Sequence, residues 1–178
     1  MQDESQRCKL EPDKPESSGP ESRRFNLRMM TRDDVPKLAR MDRKIFNDFW
    51  SEAAYLDLFR YSHYINVTAE AYGEVVGCAC MALLGTEGGI DKVMVDELFR
   101  GQGIGMALVQ ELLRLGSERG VEEFTLEVRK GNLPAIKLYE KAGFVSEGIR
   151  PGFYDKPRED ALIMWNRAGV RGQQLPVT

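Results

Sequence analysis

Along the chain, apolar residues recur with a spacing that switches between two and about 3.6 residues. Phe25, Leu27 and Met29 alternate with polar neighbours, which predicts a first strand. Thr31, with Asp34 three positions on, predicts a helix start. Val35, Leu38, Met41 and Ile45 continue it at helical spacing, and Ser51 opens a short second helix carrying Ala54, Leu58 and Phe59. Tyr64 to Ala71 and Val75 to Leu84 read as two strands joined by a turn at Tyr72-Gly73-Glu74, and Ile90 to Val95 as a fourth. Met106 to Arg119 is helical in pattern, with Leu108, Val109, Leu112, Leu113 and Leu115 facing inward and Gly120 ending it. Val121 to Val128 predicts a fifth strand. Pro134 to Ala142 predicts a helix begun by Asn132 or Leu133 and stopped by Gly143. Val145 to Ile149 and Ala161 to Trp165 complete a mixed α/β (α+β) chain with seven strands.

Outside this pattern, residues 1–22 are rich in Glu, Ser, Pro and Lys and predict a disordered tail. Residues 167–178 predict a flexible C-terminal tail, leaving one domain at 23–166. The full length of 178 residues suits a single domain, and 42% hydrophobic residues suffice for a core. A net charge of −3 with no Lys/Arg-rich run points away from nucleic acid. No apolar run approaches the roughly 18 residues of a membrane helix, and no signal-peptide core is seen near the start, so a cytoplasmic protein without a membrane partner is expected. Cys8, Cys78 and Cys80 with a single His63 make no metal set; buried free thiols are expected, Cys78 and Cys80 on one strand face. Asn66-Val67-Thr68 matches a glycosylation sequon by chance.

The strand at Ile90–Val95 is followed by Arg100-Gly101-Gln102-Gly103-Ile104-Gly105-Met106, which opens a helix. A glycine-rich turn there exposes backbone N–H groups at a helix N-terminus, where the dipole also favours an anion. The loop lacks the Lys-Ser/Thr of a P-loop, and Met106 stands where a dinucleotide fingerprint needs its last glycine. Taken alone, the loop also fits an ordinary glycine-rich turn. Arg-x-x-Gly-x-Gly at Arg100, Gly103 and Gly105 resembles the pyrophosphate loop of the GNAT N-acetyltransferases. Downstream, Leu126-Glu127-Val128-Arg129, Asn132, Ala135-Ile136-Lys137-Leu138-Tyr139 and Gly143-Phe144 are similar to the same family's second long motif. The resemblance covers about residues 24–166. It implies a central, mostly antiparallel sheet flanked by helices, acetyl-CoA as acetyl donor and no metal. It also implies donor binding by Val93, Met94 and Val95 through their backbone, by the 100–106 loop and by Asn132.

Acetyl transfer to an amine needs a base, because the ammonium form has no lone pair; an α-amine titrates at about 7.7–8 and lysine at about 10.4. It also needs a donor for the oxyanion and a proton for the leaving thiolate. Glu127 interrupts the apolar run Phe124, Leu126, Val128, and burial there would raise its carboxyl toward a useful range. On spacing alone a solvent-facing strand residue is the more common case; the resemblance implies the proton acceptor. Tyr139 fits a core aromatic on its helix, and the resemblance implies the acid that protonates the thiolate. Asn132 fits a helix cap as well as a donor contact. Ping-pong transfer through Cys78 or Cys80 is the alternative mechanism, without a neighbouring histidine or basic cluster to activate either thiol.

The ending Ile149-Arg150, Tyr154, Glu159-Asp160-Ala161, Met164 and the Phe46–Ser51 segment are similar to RimI-type enzymes, which acetylate the N-terminal alanine of a ribosomal protein. That implies a protein N-terminus as partner, with Tyr154 and Trp50 touching it. Phe153 replaces the first tyrosine of a Tyr-Tyr pair, the Asp155–Arg158 loop is short, and Asn47-Asp48-Phe49 replaces a proline before Trp50. A small amine or a lysine side chain as acceptor, or an acyl-CoA-binding module without turnover, are the other readings. The sequence carries no signal for oligomeric state.

Overall fold

A computed structural model describes residues 25–167. The expected tail at 1–22, residues 168–178 of the expected C-terminal tail, and Cys8 lie outside them, while Arg167 is described and pairs with Glu123 at 3.0 Å. Seven strands form one sheet in the order β1-β2-β3-β4-β5-β7-β6. They are β1 (Asn26–Met29), β2 (Tyr64–Ala71), β3 (Glu74–Leu84), β4 (Glu87–Val95), β5 (Glu123–Arg129), β6 (Val145–Asp155) and β7 (Arg158–Asn166). Every neighbour pair is antiparallel except β4–β5. The parallel pair requires a crossover, which α3 (Ile104–Glu118) supplies. Helices α1 (Val35–Ile45), α2 (Glu52–Asp57) and α4 (Leu133–Lys141) complete the fold.

The sheet is covered on both faces. Ile65, Val67, Met81, Phe124 and Leu126 pack with Ile104, Leu108 and Leu112 of α3. On the other face, Cys78, Cys80 and Met94 meet Val35, Leu38 and Met41 of α1 and Tyr55 of α2. Each fully buried aliphatic side chain here contributes on the order of 1.5–3 kcal/mol. Close approach of α3 depends on Gly116, where an added Cβ would stand 2.7 Å from a ring atom of Phe124. The β2–β3 hairpin closes through two positive-φ residues, Tyr72 (54°) and Gly73 (75°), the geometry that matches strand twist. Thr31 and Asp34 form the expected capping box, and Ser51 caps α2 by accepting the Ala54 N–H at 3.2 Å.

Several sequence expectations shift. Met29 is exposed and Met30 is buried instead, because β1 is only four residues long and the chain turns directly into α1. Leu113 and Leu115 of α3 are only partly buried. β4 begins at Glu87, three positions earlier than the apolar run implies, since Gly88 and Gly89 pair in the ladder. β6 continues past Ile149 to Asp155 through Pro151-Gly152; a register shift between Arg150 and Tyr154 absorbs the proline. Asn66 of the sequon is 6% exposed inside β2, which rules it out as a glycan acceptor in the folded chain.

A polar cluster fastens α1 and α2 to the sheet. Lys92 of β4, 8% exposed, pairs with the fully buried Asp42 of α1 at 3.0 Å. The Tyr55 hydroxyl donates to the same carboxylate at 2.7 Å, and burial with Cys78 and Asp42 nearby holds that phenol far above its ordinary range. The Lys92 ammonium also lies 4.4 Å from the Phe46 ring centre and 4.7 Å from that of Trp50. Asp42→Ala strands this ammonium and is expected to lower stability by about 3–5 kcal/mol. Asp42→Leu combined with Lys92→Met is expected to recover most of that loss, both read by urea unfolding.

Candidate active site

The β4–β5 ladder runs only from Glu87↔Glu123 to Ile90↔Leu126. Beyond it β4 still pairs with β3 as far as Val95, and β5 still pairs with β7 as far as Arg129. The two strands therefore fork. From Asp91 onward the β4 edge that faced β5 has no strand partner, so its N–H and C=O groups can accept an added extended chain. A cleft of about 1140 Å³ opens along the fork.

The fork begins at a β-bulge. Cys80 pairs with Lys92 and Met81 with Ile90, which leaves Asp91 as the extra residue. The bulge changes which face each side chain takes: Ile90 enters the α3 core with Met81, and Lys92 enters the α1–α2 side with Cys80. The sequence reading missed both charged residues. The adjacent pair Asp91-Lys92 inside an apolar strand was the available signal, since strict alternation cannot bury Ile90 and Val93 on one face.

The expected donor residues line one end of the cleft. Val93, Met94 and Val95 are on the open edge of β4. The loop then turns through Gly101 (φ 75°) and Gly103 (φ 82°), both left-handed, and Gly103 caps α3. The first-turn N–H groups of Ile104, Gly105 and Met106 have no preceding helical carbonyl and point toward the cleft end. Arg100 bridges back to the Val95 carbonyl at 3.3 Å and pairs with Glu97 at 3.5 Å. Gln102 is the one expected donor residue that does not line the cleft; its amide donates to the Leu98 carbonyl at 3.4 Å. Asn132 lines the cleft and also caps α4, accepting the Ala135 N–H at 3.3 Å.

Glu127 and Tyr139 border the same cleft. The expected burial of Glu127 is not found. Its side chain is 36% exposed and accepts a hydrogen bond from Arg150 of β6 at 3.1 Å. The alternation reading placed Glu127 on the face opposite Leu126 correctly, but past the ladder's end that face looks into the cleft rather than a core. Asp91, across the fork, is exposed to the cleft, and partial enclosure by the cleft walls, then the charge of Glu127, push its carboxyl up to about 6. Tyr139 is 9% exposed, packs edge-on against Phe144, and burial raises its phenol well above the ordinary value. It therefore keeps its proton at neutral pH.

Tyr154 donates to the Glu127 carbonyl at 3.3 Å. Its phenol is pushed up to about 12 by burial, against the opposing pull of Arg129, whose guanidinium carbon lies 4.0 Å from the ring centre. Trp50 packs edge-on against Tyr55 and over Lys92, with its remaining surface in the cleft. Cys78 and Cys80 are free and fully buried on the α1–α2 face, and Cys80 is held well above the usual thiol range by a hydrogen bond with Cys78 and by burial. No group of three or more His, Cys, Asp or Glu is placed to hold a metal among the described residues. No helix among them is long and apolar enough to cross a membrane.

The model of the acetyltransferase (GNAT) family matches residues 35–144. The chain belongs to the GNAT acetyltransferase family. As a member it is an acetyltransferase that uses acetyl-CoA as donor. It is 32% identical over 133 residues to the Escherichia coli [ribosomal protein bS18]-alanine N-acetyltransferase, covering 74% of this chain and 89% of that protein. It is 33% identical over 146 residues to the Mycobacterium tuberculosis N-alpha-acetyltransferase RimI, covering 79% and 90%. Among solved structures, the E. coli ribosomal-protein-S18-alanine N-acetyltransferase superposes with a TM-score of 0.75 at 28% identity, over 86% of this chain and 99% of that one. Ard1 from Thermoplasma volcanium gives 0.74 at 30% identity, over 80% and 97%.

In this GNAT chain the Asn47–Phe49 and Asp155–Arg158 segments touch each other. The Asn47 amide donates to the Lys156 carbonyl at 3.1 Å, and Asp48 pairs with Arg129 at 3.5 Å. Arg129 also donates to the Pro157 carbonyl at 3.1 Å and reaches Glu159 at 3.4 Å. Arg129→Ala is expected to release this roof. Amide exchange across residues 154–158 should rise, with a local loss of about 1.5–3 kcal/mol, while β2 and β3 keep their protection. Mass-resolved hydrogen exchange checks it.

Proposed function

We propose that this enzyme acetylates the α-amine of a protein N-terminus by direct transfer from acetyl-CoA, an N-terminal alanine of a ribosomal protein being the favoured acceptor. The observation that carries the chemistry is the fork itself. The open β4 edge and the α3 N-terminus offer a donor groove, and Glu127 and Tyr139 flank its inner end. The acceptor assignment is supported by relatives at 32–33% identity over nearly their whole length that carry N-terminal acetyltransferase names.

In this reading the edge of β4 at Val93–Val95 takes the extended arm of acetyl-CoA as an added strand. The left-handed turn at Gly101–Gly103 and the α3 N-terminus take its pyrophosphate, with Arg100 adjacent. An N–H of β4 polarises the thioester carbonyl. Glu127, steadied by Arg150, accepts a proton from the amine. Tyr139 gives its proton to the departing thiolate; the burial that keeps the phenol protonated also penalises a bare thiolate beside it. Trp50, Tyr154 and Phe153 form the acceptor wall. Direct transfer is favoured over a cysteine intermediate because both strand thiols are fully buried, on the face that packs against α1 and α2.

Glu127→Gln is expected to lower kcat about 100-fold or more while acetyl-CoA affinity, measured by calorimetry, stays within twofold. An unchanged kcat would remove Glu127 from the base role. Gly103→Glu is expected to weaken acetyl-CoA binding at least tenfold, since it places a carboxylate and a strained left-handed residue where the phosphates lie. Two peptides test the acceptor: one with a free N-terminal alanine and no lysine, one with a blocked N-terminus and an internal lysine. Label on the first alone is the expected result. Label on the second alone would make the enzyme a lysine acetyltransferase.

A further inference from the structure

The reaction removes two protons from the acceptor nitrogen, which gives a second carboxylate beside Glu127 a defined task. The acceptor arrives as an ammonium. One proton leaves nitrogen to expose the lone pair, and the C–N bond forms at the thioester carbonyl. A second proton leaves nitrogen as the intermediate collapses and the C–S bond breaks. One proton reaches sulfur to give the free thiol, and the other goes to water. Two protons therefore leave nitrogen within one cleft.

We infer that Asp91 is a second catalytic carboxylate of this site, paired with Glu127 across the fork, and that it takes one of the two protons lost by the acceptor amine. The inference rests on the reading above that acetyl transfer occurs at the fork. It does not depend on which amine is acetylated.

The placement carries it. Ile90 and Leu126 are the last pair of the parallel ladder, so Asp91 and Glu127 are the next positions on the two diverging strands. Both line the cleft. Asp91 is the extra residue of the bulge, which puts it on the strand without a ladder constraint of its own. Its surroundings hold no compensating cation. Lys92, its neighbour on β4, is committed to Asp42 in the interior. Arg150 of β6 bonds Glu127 instead. No ion pair of Asp91 is found among the described residues.

The other titratable groups facing it are the Tyr64 phenol from β2, the Cys80 thiol from β3 and Glu127 from β5. Burial and the Asp91 charge both push Tyr64 upward, and Asp91 adds to the upward push on Cys80. Neither is charged at neutral pH, so Glu127 is the group whose charge Asp91 meets. With its carboxyl up at about 6, Asp91 is mostly ionised at pH 7–8 yet is a stronger base than an ordinary aspartate at about 3.9. An incoming ammonium between the two carboxylates relieves their repulsion. The pair therefore binds the protonated acceptor and deprotonates it in the same place.

The test has two arms. First, carboxyl-carbon NMR follows Asp91 in the free protein and in Glu127→Gln. Asp91 is expected to titrate near 6 and to move down when the Glu127 charge is removed. Titration in the ordinary aspartate range, unmoved by Glu127→Gln, would overturn the inference whichever amine is the acceptor. Second, kcat against pH is compared for wild type, Asp91→Asn and Asp91→Glu on the alanine peptide. Asp91→Asn is expected to lower kcat about 10–100-fold and to displace the acid limb near pH 6, with acetyl-CoA affinity kept. Asp91→Glu is expected to restore part of the rate and the limb. Asp91→Asn with kcat within twofold and the same limb would overturn the inference. Wild-type protein that labels neither peptide would count against the acceptor assignment instead, and the NMR arm would then decide the role of Asp91.

Discussion

The structure depends on the early end of one ladder. Among the described strands β4 and β5 are the only parallel neighbours, and their pairing stops after Ile90 and Leu126. Backbone groups that leave a ladder inside a protein need other partners, because an unpaired buried N–H or C=O costs as much as a lost hydrogen bond. On the β4 side the edge from Asp91 to Val95 is left without a strand partner, and the proposed donor arm would supply one. The same divergence leaves room for Glu127 and Asp91 to face each other, and it brings the α3 N-terminus to the mouth of the opening. A continuous sheet with the same residues would close the cleft.

The remaining architecture keeps that fork open and aimed. α3 crosses from β4 to β5 and lies tightly on the sheet at Gly116. On the opposite face, the Asp42–Lys92–Tyr55 cluster holds α1 and α2 against β4 just beyond the bulge. Buried ion pairs of this kind add little net stability compared with well-packed apolar groups, but they are intolerant of misplacement, since each charge is stranded without the other. Their value here is positional: Phe46 and Trp50, which line the cleft, are stacked on the same ammonium.

Much of this was legible in the sequence. The order of strands and helices follows from the changes in apolar period, whereas the glycine loop and the Glu127–Tyr139 segment were recognisable through their resemblance to the family's motifs. What the sequence hid has one physical origin. Alternation presumes an unbroken ladder, and the decisive events are breaks in ladders. The bulge at Asp91 concealed both Asp91 and the buried Lys92. The end of the β4–β5 pairing turned the expected burial of Glu127 into partial exposure beside Arg150. The shift at Arg150–Tyr154 let β6 run six residues past its expected end despite Pro151. Arg129 was read as part of a motif, yet its contacts with Asp48, Glu159 and the 156–157 carbonyls are made across the fold.

The insertion of β7 between β5 and β6 leaves β6 as an edge strand, joined to the rest of the protein only along one side. Phe153, Arg150 and the 155–158 turn therefore belong to the margin of the molecule, whereas the donor groove is made of interior strand and helix backbone. Within that margin Arg150 reaches inward to Glu127, whereas Phe153 and the 155–158 turn make no bond to β4 or α3 among the described residues. A substitution there can reshape the wall beside Tyr154 while the β4 and α3 backbone stays in place, and the hydrogen bond from Asn47 to the Lys156 carbonyl ties the two segments of that wall to one another.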